Sequence, residues 1–534
     1  MPTAYDEVDY GGNAHALTAP NRLAGMSRIL GVAAADPQRA RVLELACGNG
    51  ANLIPLARHW PQANFVGVDL AATAVARGNA RIAALGMRNI ELRTADISAL
   101  DASSLGRFDF VIAHGLFSWV PEAVRQATLR VMSGVLAPDG VGYVSYNALP
   151  GCRVRHVIRD LLRWQLRASP YSQEIVQPAW RFLESIGTVP AEGAPAFFDL
   201  LRREAENAMS VSPNFLFHDD LSPDNLPLYL HEFAAMAQAH GLAYVGDADA
   251  ETMFEPDGAT ELGRWLDSCS GGDWLVRQQL LDFANGCRFR RSLVCHAQAL
   301  RRPGIDPAAV QRSLWYSDLW PIGSVRLDDD SEARFAGTAS KGISTNHPLI
   351  KAALVLIHSS PSRTIGTADF AERLSMRGDD TPEARLRAAA DVLLRVMRSD
   401  LIAPVAQPCP GVIEAVVDGA HLPALAPLAR MSLADGRPMV DSAHQNVQLA
   451  EPWMNEAVLA LDGTAAMGDV VALVERRRAD PEAGALPPTA QVRDAIEGVV
   501  RMLGRRGLLL PPEPDRAPPD PAGAPTQPAQ APGP

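Results

Sequence analysis

The chain has 534 residues, 47% of them hydrophobic and 21% charged, with a formal net charge of -12 at pH 7. That length supports about three domains with sizeable cores, and the acidic balance argues against nucleic acid as a partner, because phosphate neutralisation requires clustered Lys and Arg. No apolar run approaches the roughly 20 residues that cross a bilayer. The start "MPTAYDEVDYGGNAHAL" has neither the basic opening nor the apolar run of a secretory signal, so a cytoplasmic location without membrane insertion is expected.

In chain order, residues 41–146 alternate short apolar runs with helical periods, which predicts an α/β, doubly wound, Rossmann-like sheet. The strands read "RVLELA", "NFVGVD", "IELRTAD", "FDFVIAHG" and "VGYVSYN", with amphipathic helices over 71–85 and 121–136, the second closing on the turn "APDG". From 153 to 330 helical patterns dominate, predicting a mainly α middle domain. It is followed by "DDDSEARFAGTASKG", whose composition suits a linker or exposed loop. Residues 345–512 hold two loosely similar units of helix, turn, helix and a later helix running into a short apolar strand. That is winged-helix-like grammar, with an ordinary helical domain as the alternative. The tail from 511 carries ten prolines in 24 residues and is expected to be disordered.

Cysteines at 47, 152, 269, 287, 295 and 409 form no CxxC pair, so they read as reduced, with neither a zinc site nor a disulfide framework. His218, Asp219, Asp220 and the pair His231/Glu232 match no metal spacing. Arg155, Arg159, Arg163 and Arg167 recur every four residues, a stripe expected to be solvated or paired with acidic neighbours.

The informative stretch is "VLELACGNGANLIPLA". A dinucleotide turn has G-x-G-x-x-G, its third glycine allowing close helix packing. Here the register is Glu44-x-Ala46-x-Gly48-x-Gly50, Leu53 stands where the third glycine would be, and no Lys-Ser or Lys-Thr follows to hold a triphosphate. A carboxylate inside the leading strand repels a diphosphate but suits a ligand with a cationic amine and a sulfonium, S-adenosylmethionine. Asp69, 19 positions after Gly50, ends the second strand, where a carboxylate accepts ribose hydroxyls. Asp96 follows the third strand, within reach of an adenine amine, and Leu70 and Ile97 flank the two carboxylates. The alternatives are a dinucleotide enzyme or a degenerate copy that binds nothing.

On the acceptor side, "AHGLFSWV" gives His114, then Phe117 and Trp119. His114 is either a base or a hydrogen-bond partner of the donor. The two aromatics are either a wall around an aliphatic stem or cation or part of a helix-start core. Asn147 closes the fifth strand at the crevice edge, and Tyr5 and Tyr10 of "YDEVDY" are either a lid over the donor or a packed arm. The Asp/Asn-Pro-Pro-aromatic motif of many amino-group methyltransferases is missing after the fourth strand.

Together "YDEVDY", "RVLELACGNGANLIPLA", "FVGVDL", "FDFVIAHGLFSWVP" and "GVGYVSYNALPG" resemble the class I S-adenosylmethionine-dependent methyltransferases that carry a methyltransferase regulatory domain. That family includes rickettsial protein-lysine methyltransferases acting on outer-membrane proteins. The likeness is strongest over residues 5–152 and extends more loosely through "NGCRFRRSLVCH" into the C-terminal region. Ala46 departs from it, since many class I enzymes have glycine there. The resemblance implies the fold and the donor, with residues 1–152 as the donor-binding domain and 153–330 as a regulatory or substrate domain. The expected reaction is methyl transfer to a protein, foremost a lysine amine. A small-molecule N- or O-methyltransferase and a non-catalytic donor-binding regulatory protein are the alternatives.

Overall fold

The computed structural model describes residues 12–510 apart from 191, 211–212, 223, 255–259, 338–340, 375–380, 418 and 480–485. Tyr5, Tyr10 and the proline-rich tail lie outside the described residues. Two compact units emerge. One comprises the residues up to Pro410 together with Val440–Val447, the other Gly411–Met439 together with the residues from Gln448 onward.

The first unit is built on a seven-stranded sheet: β1 (Arg41–Leu45), β2 (Asn64–Asp69), β3 (Ile90–Thr94), β4 (Phe108–Ala113), β5 (Leu136–Asn147), β6 (Leu242–Asp247) and β7 (Phe289–His296), in the order β3-β2-β1-β4-β5-β7-β6. β1 to β5 are parallel and fall on the runs read from the sequence. β1, β2, β4 and the second half of β5 are buried on both faces and read as apolar runs, whereas the edge strand β3 alternates buried and exposed residues; in β1 every residue after Arg41 is buried. The turn expected at "APDG" is an excursion inside β5, because Leu136 pairs with Phe108 while Val141 already pairs with Phe110.

β7 lies antiparallel to both β5 and β6, so the sheet is mixed rather than purely parallel. It also runs past residue 152 and takes its last two strands from the region expected to be mainly α. Their sequences, "LAYVGD" and "FRRSLVCH", hide because they bury Asp247, Arg290 and Ser292, which breaks the apolar alternation that marks a strand. Between β5 and β6 the helices Cys152–Gln165, Val176–Gly187, Ala196–Met209 and Pro213–Asp219 enclose a separate core around Leu162, Leu183 and Leu216. The backbone leaves the sheet at Gly151, whose N–H donates to the Cys287 carbonyl at 3.0 Å. A Cβ there would lie 1.9 Å from the Gly286 carbonyl oxygen, so no side chain fits.

The segment expected as a linker contributes strands instead. Ala333–Ala336 pairs with Gly342–Thr345 and with Trp320–Ile322, and four residues, Ala333 and Phe335 buried, are too few for the pattern to stand out against the acidic run before them. A second small sheet has Leu314–Tyr316 between Thr364–Gly366 and Ala403–Val405, accompanied by the helices Pro348–Ser359, Thr367–Arg373 and Pro382–Arg398. The second unit contains the helices Pro427–Ala434, Pro452–Leu459, Met467–Glu475 and Thr489–Arg505. No helix among the described residues is long and apolar enough to cross a membrane.

Candidate functional site

The chain leaves β1 through a tight turn. Ala46 adopts φ +63°, the left-handed region that favours glycine, followed by Gly48 at φ +54° and Gly50 at φ +73°. This explains why the alanine is the unusual residue of the motif. Gly50 is needed twice over, since a Cβ there would also lie 2.8 Å from Leu92 Cδ1. The turn delivers the chain into the helix Leu53–His59; Leu53 is fully buried, and no third glycine is required.

Asp69 ties this turn to the end of β2: its Oδ2 accepts from Gly48 N at 2.7 Å and its Oδ1 from Ala71 N at 2.8 Å. Each oxygen retains a second lone-pair direction for a ligand hydroxyl. Beside it, Leu70 is 57% exposed, a large apolar face at the sheet edge. Across β1 and β2 Glu44 pairs with Gly67, two residues before Asp69. Glu44 is buried, its Oε1 accepts from Asn52 Nδ2 at 2.8 Å, and its Oε2 has no partner. Burial, with the Asp69 charge adding to it, pushes the Glu44 carboxyl up to about 8 despite the Asn52 hydrogen bond. Both effects penalise the ionised form. A cationic amine at Oε2 would supply the missing partner and restore the charge.

Asp96 stands at the same edge, two residues beyond Thr94, the partner of Asp69. It is exposed, its Oδ1 accepts from Ser98 N at 2.8 Å to cap a single helical turn, and Ile97 beneath it is buried. The place of Asp96 after β3 is thus level with that of Asp69 at the end of β2.

His114 follows β4. Its ring lies 3.7 Å from that of His15, centroid to centroid, and its Nδ1 is 2.9 Å from the Tyr143 hydroxyl. Burial and then Arg291 bring His15 down to about 4; burial, His15 and Arg291 hold His114 well below its ordinary value. Both imidazoles are therefore neutral at pH 7. Arg291 is paired with Asp249 at 2.8 Å and lies over the Phe289 ring, which meets His114 edge-on.

One open choice on this side is resolved and one expectation needs correction. Phe117 belongs to the core, against Tyr146 and Phe233, the second of the two readings given for it. Asn147 is buried rather than open at the edge: its N–H donates to Ser118 Oγ at 2.7 Å and its Nδ2 to Asn225 Oδ1 at 2.9 Å. Trp119 is half-buried on the turn after His114. In the arginine stripe, Arg155 meets Asp219 and Asp220 and Arg159 donates to their carbonyls, which is acidic pairing.

Sequence reasoning missed His15, Asn52, Tyr143 and His444. Asn52 had a signal, a polar residue opening an otherwise apolar helix. His444 had none, since it meets Asn52 across 392 residues.

Against known proteins, a family described as "Methyltransferase domain" matches residues 42–140, and one described as "Predicted methyltransferase regulatory domain" matches 212–296, the stretch that contains β6 and β7. An uncharacterised protein of Rickettsia prowazekii, RP789, is 30% identical over 356 residues, which take in 66% of this chain and 64% of that protein. The match thus spans less than two thirds of that relative's length. A trans-aconitate 2-methyltransferase of Rhodopseudomonas palustris is 34% identical over 106 residues, 20% of this chain and 37% of that enzyme. A solved structure of PKMT2 from Rickettsia typhi in complex with AdoHcy superposes with a TM-score of 0.79 over 94% of this chain and 99% of that one. At 22% identity this likeness establishes the fold.

Proposed function

From a chain that carries a class I methyltransferase domain joined to a methyltransferase regulatory domain, we propose an enzyme that transfers a methyl group from S-adenosylmethionine to a protein side chain, foremost a lysine amine. The observation that carries this reading is the buried Glu44 oxygen without a partner beside Asp69. It suits a ligand whose cationic amine sits below the turn and whose ribose hydroxyls reach Asp69. Ala46, Gly48 and Gly50 shape the backbone around that ligand, Leu70 and Ile97 offer apolar surface to its base, and Asp96 is read as reaching the exocyclic amine. When bound, the donor supplies a methyl group already activated on a sulfonium. The solved relative with AdoHcy supports the choice of donor.

The chain's task is then to orient the acceptor and exclude water. A lysine amine with an ordinary pKa near 10.4 is protonated at pH 7, and freeing its lone pair costs about 4–5 kcal/mol at 1.36 kcal/mol per unit. Neutral His114, backed by His15 and Tyr143, resists protonation and is the group we assign to hydrogen-bond the donor or orient the amine, whose proton leaves to solvent, with Trp119 beside the aliphatic stem. Tyr10 is retained as a lid residue and Asn147 as a support of the β5 end. The region over 153–330 outside β6 and β7 and the winged-helix-like region over 345–512 are read as elements that recognise a large acceptor.

The test uses the full chain, tritiated donor and a cytoplasmic extract resolved by gel. A labelled protein band that disappears with Asp69→Ala is the expected result. Label confined to small molecules would favour a small-molecule acceptor, as the trans-aconitate enzymes among the relatives have; donor binding with no transfer to either would favour a regulatory protein.

A further inference from the structure

The amide that holds the carboxylate assigned to the donor amine is itself held by a residue from the far end of the sequence. Asn52, at the mouth of the glycine turn, is a junction of five short polar contacts. Its Nδ2 donates to Glu44 Oε1 at 2.8 Å and to Thr18 Oγ1 at 3.0 Å. Its Oδ1 faces the His15 N–H at 3.0 Å, the Thr18 hydroxyl at 3.1 Å and His444 Nε2 at 2.8 Å. The single Thr18 proton already has the His15 carbonyl at 2.8 Å, so the donors that fix Oδ1 are the His15 backbone and the His444 ring.

This fixes the chemistry of His444. Because Asn52 presents its amide nitrogen to Glu44, its oxygen faces His444, and Nε2 must carry the proton. Nδ1 is then bare, buried and without a partner. His444 is buried and surrounded by groups that disfavour a second proton: His15 ahead of the glycine turn and His59 on the helix that follows it. Asp441, the acidic group of its own segment, is engaged by the N–H groups of Ala443 and Gln445. The backbone at His444 is left-handed, φ +63°, a conformation that non-glycine residues keep only where the surroundings impose it. The chain enters this segment from Gly411–Met439 and leaves it at Gln448, both in the other compact unit, yet Val440–Val447 belongs to the unit that holds the glycine turn.

We propose that His444 is a positioning residue for donor binding: by donating to Asn52 Oδ1 it locks the amide so that its nitrogen faces Glu44 and leaves Glu44 Oε2 open to the donor's cationic amine. This inference rests on the reading of Glu44 as the amine-binding carboxylate. With the imidazole removed, Asn52 Oδ1 keeps the His15 N–H alone, and the amide is held less firmly with its nitrogen toward Glu44.

The experiment is calorimetry with S-adenosylmethionine and AdoHcy on the full chain, together with steady-state methyl transfer to the labelled acceptor. His444→Ala is expected to raise the donor Kd and donor KM about tenfold while kcat and acceptor KM stay within about twofold. His444→Gln, which keeps an N–H donor, should recover most of the affinity. The double variant with Asn52→Ala should bind no more weakly than Asn52→Ala alone, since the two act through one bond. A His444→Ala protein with a lowered Tm and an unchanged donor Kd would reduce the residue to a structural one and overturn the proposal, as would additive losses in the double variant. Failure of the wild-type chain to bind either ligand would instead overturn the reading of Glu44 and this inference with it.

Discussion

Glu44 on β1 and Asp247 on β6 are both carboxylates buried in the same sheet, and their surroundings differ. Asp247 is complete: its oxygens meet Arg290 at 2.8 Å, Ser292 Oγ at 2.9 Å, Thr252 Oγ1 at 3.0 Å and the Tyr244 hydroxyl at 3.3 Å. Arg290, itself fully buried, adds a two-pronged contact with Asp282. Glu44 has Asn52 on one oxygen and nothing on the other. A buried charge with all its partners belongs to the architecture. A buried carboxyl missing one carries a free-energy cost that a ligand's donor would relieve, which is the role proposed for Glu44.

The sharpest way to break the comparison is to disturb the completed cluster. Arg290→Met leaves Asp247 and Asp282 buried without their cation, which costs about 3–5 kcal/mol. Denaturant unfolding should show that loss, with donor affinity of the folded fraction unchanged. If Arg290→Met is as stable as the parent, the cluster is not what holds β6 and β7.

The matching change at the unfinished site has the opposite signature. Glu44→Gln should leave the ligand-free protein as stable or more stable, yet weaken S-adenosylmethionine by about 10- to 100-fold, the range of a hydrogen bond to a charged group at 1.5–3 kcal/mol. Calorimetry and unfolding on the same preparation separate the two effects. A stability loss without an affinity loss would make Glu44 structural.

A pH series refines this. The folded Glu44 carboxyl lies near 8 against an ordinary 4.5, so between those values the folded state holds more protons than the unfolded one. Its contribution to stability therefore falls as pH rises through that window. His15 acts in the other direction: with a folded value near 4 against an ordinary 6.5, its contribution is intact above 6.5 and is lost as pH falls toward 4. Where the windows overlap the slopes oppose. The expected result is a difference curve, parent against Glu44→Gln, that declines from about pH 5 to 8 and is abolished by saturating AdoHcy. A flat difference would show that Glu44 is ionised before any ligand arrives.

The same contrast explains what was legible in the sequence. β1 to β5, the glycine turn and Asp69 are local: each lies in an apolar run or directly after one, and buried parallel strands announce themselves by composition. β6 and β7 were hidden by the very cluster that completes them, Arg290 and Asp247 standing where apolar residues mark a strand. Asn147 was placed at the right strand end but is turned inward, and the choice between wall and core for Phe117 stayed open, because sequence order gives position along the chain and not the packing that meets it. His15 and His444 were beyond reach for another reason. They meet Asn52 across 37 and 392 residues, and no periodicity encodes such a distance.

The smallest expected effect tests the turn itself. Ala46 holds φ +63°, where an alanine costs about 1–2 kcal/mol relative to its preferred regions. A glycine removes that strain but gives back about 0.5–1 kcal/mol through the freedom it adds to the unfolded chain. Ala46→Gly should therefore stabilise the protein by about 0.5 kcal/mol, measurable as a small rise in denaturant midpoint with an unchanged slope. The donor Kd decides what the methyl group does there. If it stays within about twofold, the alanine is strain alone and the turn binds through its backbone shape. If affinity rises while stability does not, the Ala46 side chain occupies space that the ligand needs, and the departure at this position sets how closely the donor approaches Glu44.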